Sequence, residues 1–159
     1  MLLTPSSLLP TRSPDLVPPG HLATISARLA RGDAWKTVVS RPPVGRRWTQ
    51  LLDHPDISAW LISWAPGSGL ALHDHGDASA GITVVEGELH ERYIHLDLTD
   101  FRARDLDVGS TVGLGPDHVH EVVNRTRSVA ISIHVYSPNL DRMTFYDRDP
   151  IPGSGRLLG

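Results

Sequence analysis

The chain contains no cysteine. That excludes a disulfide framework, a zinc ribbon and a thiolate nucleophile, so any metal chemistry has to rest on histidine and carboxylates. Basic charge is not in excess either, because 15 Lys and Arg stand against 18 Asp and Glu for a formal net charge of -3. A broadly electropositive surface for counterion-release binding to nucleic acid is therefore not expected. No run approaches the ~20 apolar residues of a membrane-spanning helix. Pro5 and Pro10 interrupt the apolar stretch near the start, which lacks the pattern of a secretory leader, and a cytoplasmic location is the expectation. With 159 residues, 40% of them hydrophobic, one soluble domain around one core is expected. Against these absences stand nine histidines.

Pro5, Pro10, Pro14 and Pro18 make residues 1–18 an extended arm, since proline at this density forbids a regular backbone hydrogen-bond ladder. From Pro19, Leu22, Ile25 and Leu29 recur at helical spacing, and Gly32 is placed to end a short amphipathic helix. Strand-like segments follow at Trp48 to Leu52, Ile57 to Trp64, Gly81 to Val85, Glu88 to His95, Val119 to Val123 and Ser128 to Tyr136, separated by Gly, Pro, Asn and Asp turns. Such a series, with no helices between, pairs antiparallel and closes most naturally into a double-sheet barrel whose mouth is concave. The expected organisation is an arm (1–18), one all-β domain with its N-terminal helix (19–147) and an irregular tail (148–159).

The segment GSGLALHDHGDASAGITVVEG, residues 67–87, carries His73 and His75. Residues two apart on an extended strand share a face, so both imidazoles can point into one cavity. A second pair, His118 and His120, follows a Gly-Pro turn in GPDHVHEVVN, residues 115–124. Neutral imidazole suits divalent iron, and three ligands on one face leave the opposite positions open for substrate and oxygen. On strand Ser128 to Tyr136, the side chains of Ser132, His134 and Tyr136 alternate inward together, so a hydroxyl can hold one ring nitrogen of His134 while the other holds the tyrosine hydroxyl.

Gly67, His73-x-His75, Gly87 and the His120 to Asn124 spacing resemble the two motifs of the cupin superfamily, small jelly-roll barrels with a metal in the mouth. Many cupins add a glutamate between the paired histidines and the final glycine; here Ala80 occupies that position. A three-histidine set without glutamate is similar to the cysteine dioxygenase family of thiol dioxygenases. The run Ser132-Ile133-His134-Val135-Tyr136-Ser137-Pro138 is similar to that family's Ser-x-His-x-Tyr-Ser-Pro strand. The resemblance, spanning roughly residues 45 to 147, implies a cupin barrel and an Fe(II) site held by His73, His75 and His120. His118 shares parity with His120 and competes as third ligand, although the Asn124 spacing favours His120. The resemblance further implies that Tyr136 orients substrate and oxygen, with His134 and Ser132 positioning it. Three neutral imidazoles leave ferrous iron its full +2 charge, which favours a thiolate ligand. The implied partners are a small thiol and O2, with sulfinate as product.

Two positions depart from the family pattern. Mammalian members crosslink a cysteine to the active-site tyrosine, but Ala80 stands in the corresponding place. Members acting on cysteine present Tyr-x-Arg on an early strand, whereas this chain has Trp48, Thr49 and Gln50. Gln50 and Trp48 are expected to line the substrate pocket, and glutamine there resembles the branch that oxidises 3-mercaptopropionate. Arg46 and Arg142 are candidate substitutes for the missing charge, each reading first as a surface residue. Trp60 and Trp64, four apart, read as core. A non-catalytic metal-binding cupin, acting as a small-molecule binding module, is the rival from another class. Oligomeric state is not legible in the residues.

Overall fold

The computed structural model describes residues 16–95 and 100–146. The expected arm, up to residue 15, and the tail from residue 147 lie outside them. Helix α1 (Pro19–Arg31) begins with proline, whose missing N–H is no loss in a first helical turn. It ends where the Gly32 N–H bonds the carbonyls of Arg28 and Leu29. A second short helix, α2 (Ala34–Val38), follows and buries Trp35.

Among the described residues nine strands follow: β1 (Arg46–His54), β2 (Ile57–Trp64), β3 (Gly69–His73), β4 (Ser79–Glu86), β5 (Leu89–His95), β6 (Arg102–Leu106), β7 (Thr111–Leu114), β8 (His118–Val123) and β9 (Ala130–Ser137). They form two antiparallel sheets, ordered β1-β2-β9-β4-β7 and β3-β8-β5-β6. This is the expected all-β jelly roll, two four-stranded layers with β1 added at one edge. Strands β3, β6 and β7 go beyond the six read from sequence. They are short and carry glycine or charge, and pairing with a longer neighbour rather than local propensity makes them strands.

Both faces of the larger sheet are covered, which is why every residue of β9 is buried. On the outer face α1 packs Leu22 against Ala59, Leu61, Ile131, Ile133 and Val135. The helix sits so close that a Cβ on Gly81 would lie 2.1 Å from the carbonyl carbon of Leu22, so only glycine fits there. Between the sheets, Trp64, Val84, Leu89, Leu106, Val122 and Ala130 fill one end of the barrel with apolar packing. The histidines occupy the other end.

Candidate metal centre

His73 closes β3, His75 lies two residues beyond it, and His120 sits on β8 directly opposite His73 in the strand register. One ligand nitrogen from each falls within 4.8 Å of the others. The ring centroids are separated by 5.0, 4.6 and 5.0 Å, and no ring is more than 2% exposed. Burial pushes His73 down to about 3, with the neighbouring His120 adding to the effect, and drives His75 further in the same direction. Both are neutral near pH 7, the form that offers a lone pair to a metal.

Hydrogen bonds fix which nitrogen carries the proton. His73 Nδ1 lies 2.7 Å from the Ala71 carbonyl, which can only accept, so Nδ1–H donates and Nε2 keeps its lone pair. His120 Nδ1 lies 2.8 Å from a carboxylate oxygen of Glu91, with the same consequence. His75 Nε2 and His120 Nε2 face each other at 3.3 Å, and His75 Nδ1 is buried with no partner. Two nitrogens bound to one metal at ~2.1 Å would be ~3.0 to 3.4 Å apart for octahedral to tetrahedral angles. The separation of the facing nitrogens and the soft-neutral donor set thus fit a divalent cation.

Glu91, which the sequence reading missed, is 1% exposed. One oxygen accepts from His118 Nε2 and His120 Nδ1, each at 2.8 Å, and the other accepts from Arg104 Nε at 2.5 Å. Burial opposes its ionisation, but His118, His120 and Arg104 outweigh that and hold the carboxyl well below the usual carboxylate range. The triad of His73, His75 and His120 therefore lacks a carboxylate while one stands directly behind His120, fixing its ring and enriching its free nitrogen. His118, stacked on Tyr93 with ring centroids 5.0 Å apart, donates to Glu91. His118, His120 and Glu91 also form a second group of close donor atoms, so His118 stays near the centre without joining the first triad.

On the facing sheet a neutral chain runs toward the same point. The Trp64 indole N–H donates to Ser132 Oγ at 2.9 Å, Ser132 Oγ lies 2.8 Å from His134 Nε2, and His134 Nδ1 lies 3.2 Å from the Tyr136 hydroxyl. With Ser132 donating to Nε2 and Nδ1–H donating to the tyrosine oxygen, the Tyr136 proton is free to point outward. Burial holds His134 down at about 3 and keeps the Tyr136 hydroxyl protonated far above neutral pH. The Tyr136 ring stands 5.4 Å from that of His75, and Ala80 lies opposite Tyr136 on β4, where a larger residue would crowd it.

Tyr136 also lines a cavity of about 280 Å³ with Arg46, Trp48, Trp60, Ile62, Leu70, Leu140, Met143 and Phe145. Trp48 and Phe145, both more than half exposed, form its rim. Phe145 is placed against His73 by a backbone bridge, with ring centroids 5.6 Å apart. Asp74 secures this segment, accepting from the Thr144 N–H and the Tyr146 hydroxyl, and it turns away from the three histidines.

A family model for cysteine dioxygenase type I matches residues 29–149. The chain belongs to the cysteine dioxygenase type I family. Among solved structures, it is similar to an uncharacterized conserved protein with a double-stranded beta-helix domain from Klebsiella pneumoniae, at 19% identity, covering 74% of this chain and 98% of that one, with a TM-score of 0.59. TT1209 from Thermus thermophilus matches at 19% identity over 65% of this chain and 92% of its own, with a TM-score of 0.57. A recombinant oxalate oxidase matches at 22% identity over 65% and 56%, with a TM-score of 0.54. At such identities these structures speak for the fold, whereas family membership supports a thiol dioxygenase-like function at a metal site.

Within this member of the family, the remaining sequence expectations divide. Trp48 is in the cavity lining, but Gln50, next on the same face of β1, is exposed and outside it. The strand irregularity just after Gln50 and its place beyond Trp48 carry it past the cavity. Trp64 is core, as its 1% exposure requires, whereas Trp60 is half-buried and reaches the cavity instead. Arg142 is a surface residue 3.6 Å from Asp77, and Arg46 is not a surface residue but part of the cavity wall. The amide of Asn124, the motif asparagine, donates to the Trp64 and Ser128 carbonyls and its oxygen accepts from Thr126, closing the β8–β9 turn. Among the described residues no helix is long and apolar enough to cross a membrane.

Proposed function

We propose that the protein is an Fe(II)-dependent thiol dioxygenase that converts a small thiol, RSH, and O2 to the sulfinic acid RSO2H. The observation that supports this most is the convergence of three buried imidazoles beside a protonated tyrosine hydroxyl at the wall of an apolar cavity. His73, His75 and His120 would hold the metal through Nε2, and bound iron supplies the redox chemistry that joins both oxygen atoms to sulfur.

The chain's own groups do the rest. Glu91 keeps the His120 ring oriented, with its proton on Nδ1. Tyr136, held through His134 and Ser132, offers a hydroxyl donor to the reacting end of the substrate, and burial keeps that proton in place at neutral pH. Ile62, Leu70, Leu140 and Met143 exclude water from the substrate's carbon chain. Trp48 lines the entrance, and Gln50 flanks it from outside.

The test is oxygen uptake by the iron-loaded protein against a panel of small thiols, with the sulfinate quantified. One O2 consumed per sulfinate formed is expected. Uptake no faster than that of free iron with every thiol would contradict the proposal and leave a binding module in its place.

A further inference from the structure

We propose that Asp74 is a positioning residue that ties one wall of the cavity to the loop carrying two of the three candidate metal ligands, so that filling the metal site also firms the seat of the substrate. The inference rests on the reading of this region as a metal site beside a substrate cavity, and it adds a link between the two.

After β9 the chain returns past β3 as an irregular strap, residues 139–146, which contributes Leu140, Met143 and Phe145 to the cavity lining. Leu140 packs on the cluster of Ala80, Ile82, Leu114 and Tyr136, and Tyr146 on that of Leu72, Ile94 and Val119. Between these two anchors Asp141, Arg142, Thr144 and Phe145 are exposed, so the strap has little burial of its own to keep it closed. One isolated bridge joins Phe145 to His73; the Tyr146 N–H donates to the Leu72 carbonyl at 2.9 Å and the Asp74 N–H to the Thr144 carbonyl at 3.0 Å.

The Asp74 side chain supplies the remaining ties. One carboxylate oxygen accepts from the Gly76 N–H at 2.9 Å and from the Thr144 N–H at 3.2 Å, and the other accepts from the Tyr146 hydroxyl. A single group therefore sets the turn that follows His75, where Gly76 has a φ of 61°, and holds the strap by charge-assisted bonds. The two segments also touch beyond it, since a Cβ on Gly76 would lie 3.1 Å from the Arg142 side chain and Arg142 reaches Asp77 at 3.6 Å. An ion that fixes His73 and His75 restrains the loop between them, and through Asp74 it restrains the strap. Coupling of this kind is reciprocal, so a substrate packed on Leu140, Met143 and Phe145 tightens the hold on the metal in turn.

The test is amide hydrogen exchange of the metal-free and zinc-loaded proteins, read over residues 72–76 and 142–146 and divided by the change in α1, which lies on the far face of the larger sheet. Zinc is expected to slow exchange by about 10-fold at both segments of the wild type. In Asp74→Ala the slowing at 142–146 should fall to about 2-fold or less while that at 72–76 persists, and Tyr146→Phe, which leaves the ligand loop intact, should lie between. A merely structural role would speed exchange with and without zinc alike and leave these ratios untouched. Slowing at 72–76 alone in the wild type, or an unchanged ratio at 142–146 in Asp74→Ala, would overturn the proposal; where Asp74→Ala does not fold, Tyr146→Phe decides. No slowing at either segment would overturn it together with the metal site. Anaerobic titration of the cobalt-loaded protein with 2-mercaptoethanol, followed by its sulfur-to-cobalt band, carries the link to the substrate: affinity about 5-fold weaker in Tyr146→Phe is expected, with the cobalt bands before thiol unaltered, and equal affinity would overturn that link. If the iron-loaded wild type oxidises no thiol yet the exchange ratios hold, the dioxygenase reading fails and the Asp74 tie stands.

Discussion

Two polar chains reach the candidate metal centre from opposite sheets, and they are built differently. The β9 chain, from Trp64 through Ser132 and His134 to Tyr136, is neutral throughout and ends on a hydroxyl at the cavity wall. The chain from Arg104 through Glu91 to His120 is ionic and ends on a ligand nitrogen. Both solve the same problem, since a polar group in a barrel interior must be paired to be tolerated. The neutral chain fixes a direction and a proton without adding charge to the site. The ionic chain places a buried carboxylate, itself paired with Arg104, directly behind the candidate ligand His120. In the proposed function, orientation of substrate and hold on the metal would fall to different sheets.

Substitutions that strike one chain at a time test this division. Tyr136→Phe removes the terminal hydroxyl, and a kcat lower by about 10²- to 10³-fold is expected, the usual loss of a positioned donor. Bound metal, read by elemental analysis, should be unaltered in that variant; a parallel loss of metal would erase the distinction between the chains. Glu91→Gln should weaken metal binding by about 10- to 100-fold, the usual effect of losing a carboxylate partner of a ligand histidine. Competition with a chelator measures it, and an unchanged affinity would show the ionic chain to be structural only.

Ser132→Ala strands the Trp64 N–H and one ring nitrogen of His134, so a stability loss of about 1–3 kcal/mol is expected in urea denaturation. Its metal affinity should stay near that of the wild type, in contrast with Glu91→Gln. Acid acts on the metal-free protein through the same buried rings. His118 is held down at about 4 and His134 at about 3, chiefly by burial, against an ordinary 6.5. The unfolded chain therefore binds protons that the fold refuses. Their contribution to stability is complete above pH 6.5 and is lost as pH falls toward those values, by up to ~1.4 kcal/mol per pH unit for each histidine. Urea midpoints should decline from pH 7 to pH 5; a flat profile would mean that these rings take up protons without cost.

The legible and illegible parts of the sequence follow the same contrast. Ser132, His134 and Tyr136 were readable because one strand carries all three, and its period of two brings them to one face. His73, His75 and His120 were readable because two short motifs carry them. Glu91 was not, because a lone glutamate between His90 and Arg92 has the look of a solvated strand face. The available signal was parity, since Leu89, Glu91 and Tyr93 share a face and Leu89 is core. Its partner Arg104 lies in RARDL, whose charge masks a strand held by pairing with β5. Arg46 and Gln50 were exchanged for a similar reason: alternation gives the face of β1 but not how far along it the cavity extends.

The metal content of the purified wild type, His73→Ala, His75→Ala, His120→Ala and His118→Ala proteins, loaded identically with ferrous iron under anaerobic conditions, decides the central claim most directly. One iron per chain is expected in the wild type and in His118→Ala, with little in the other three. Undiminished iron in folded His73→Ala, His75→Ala and His120→Ala would contradict it.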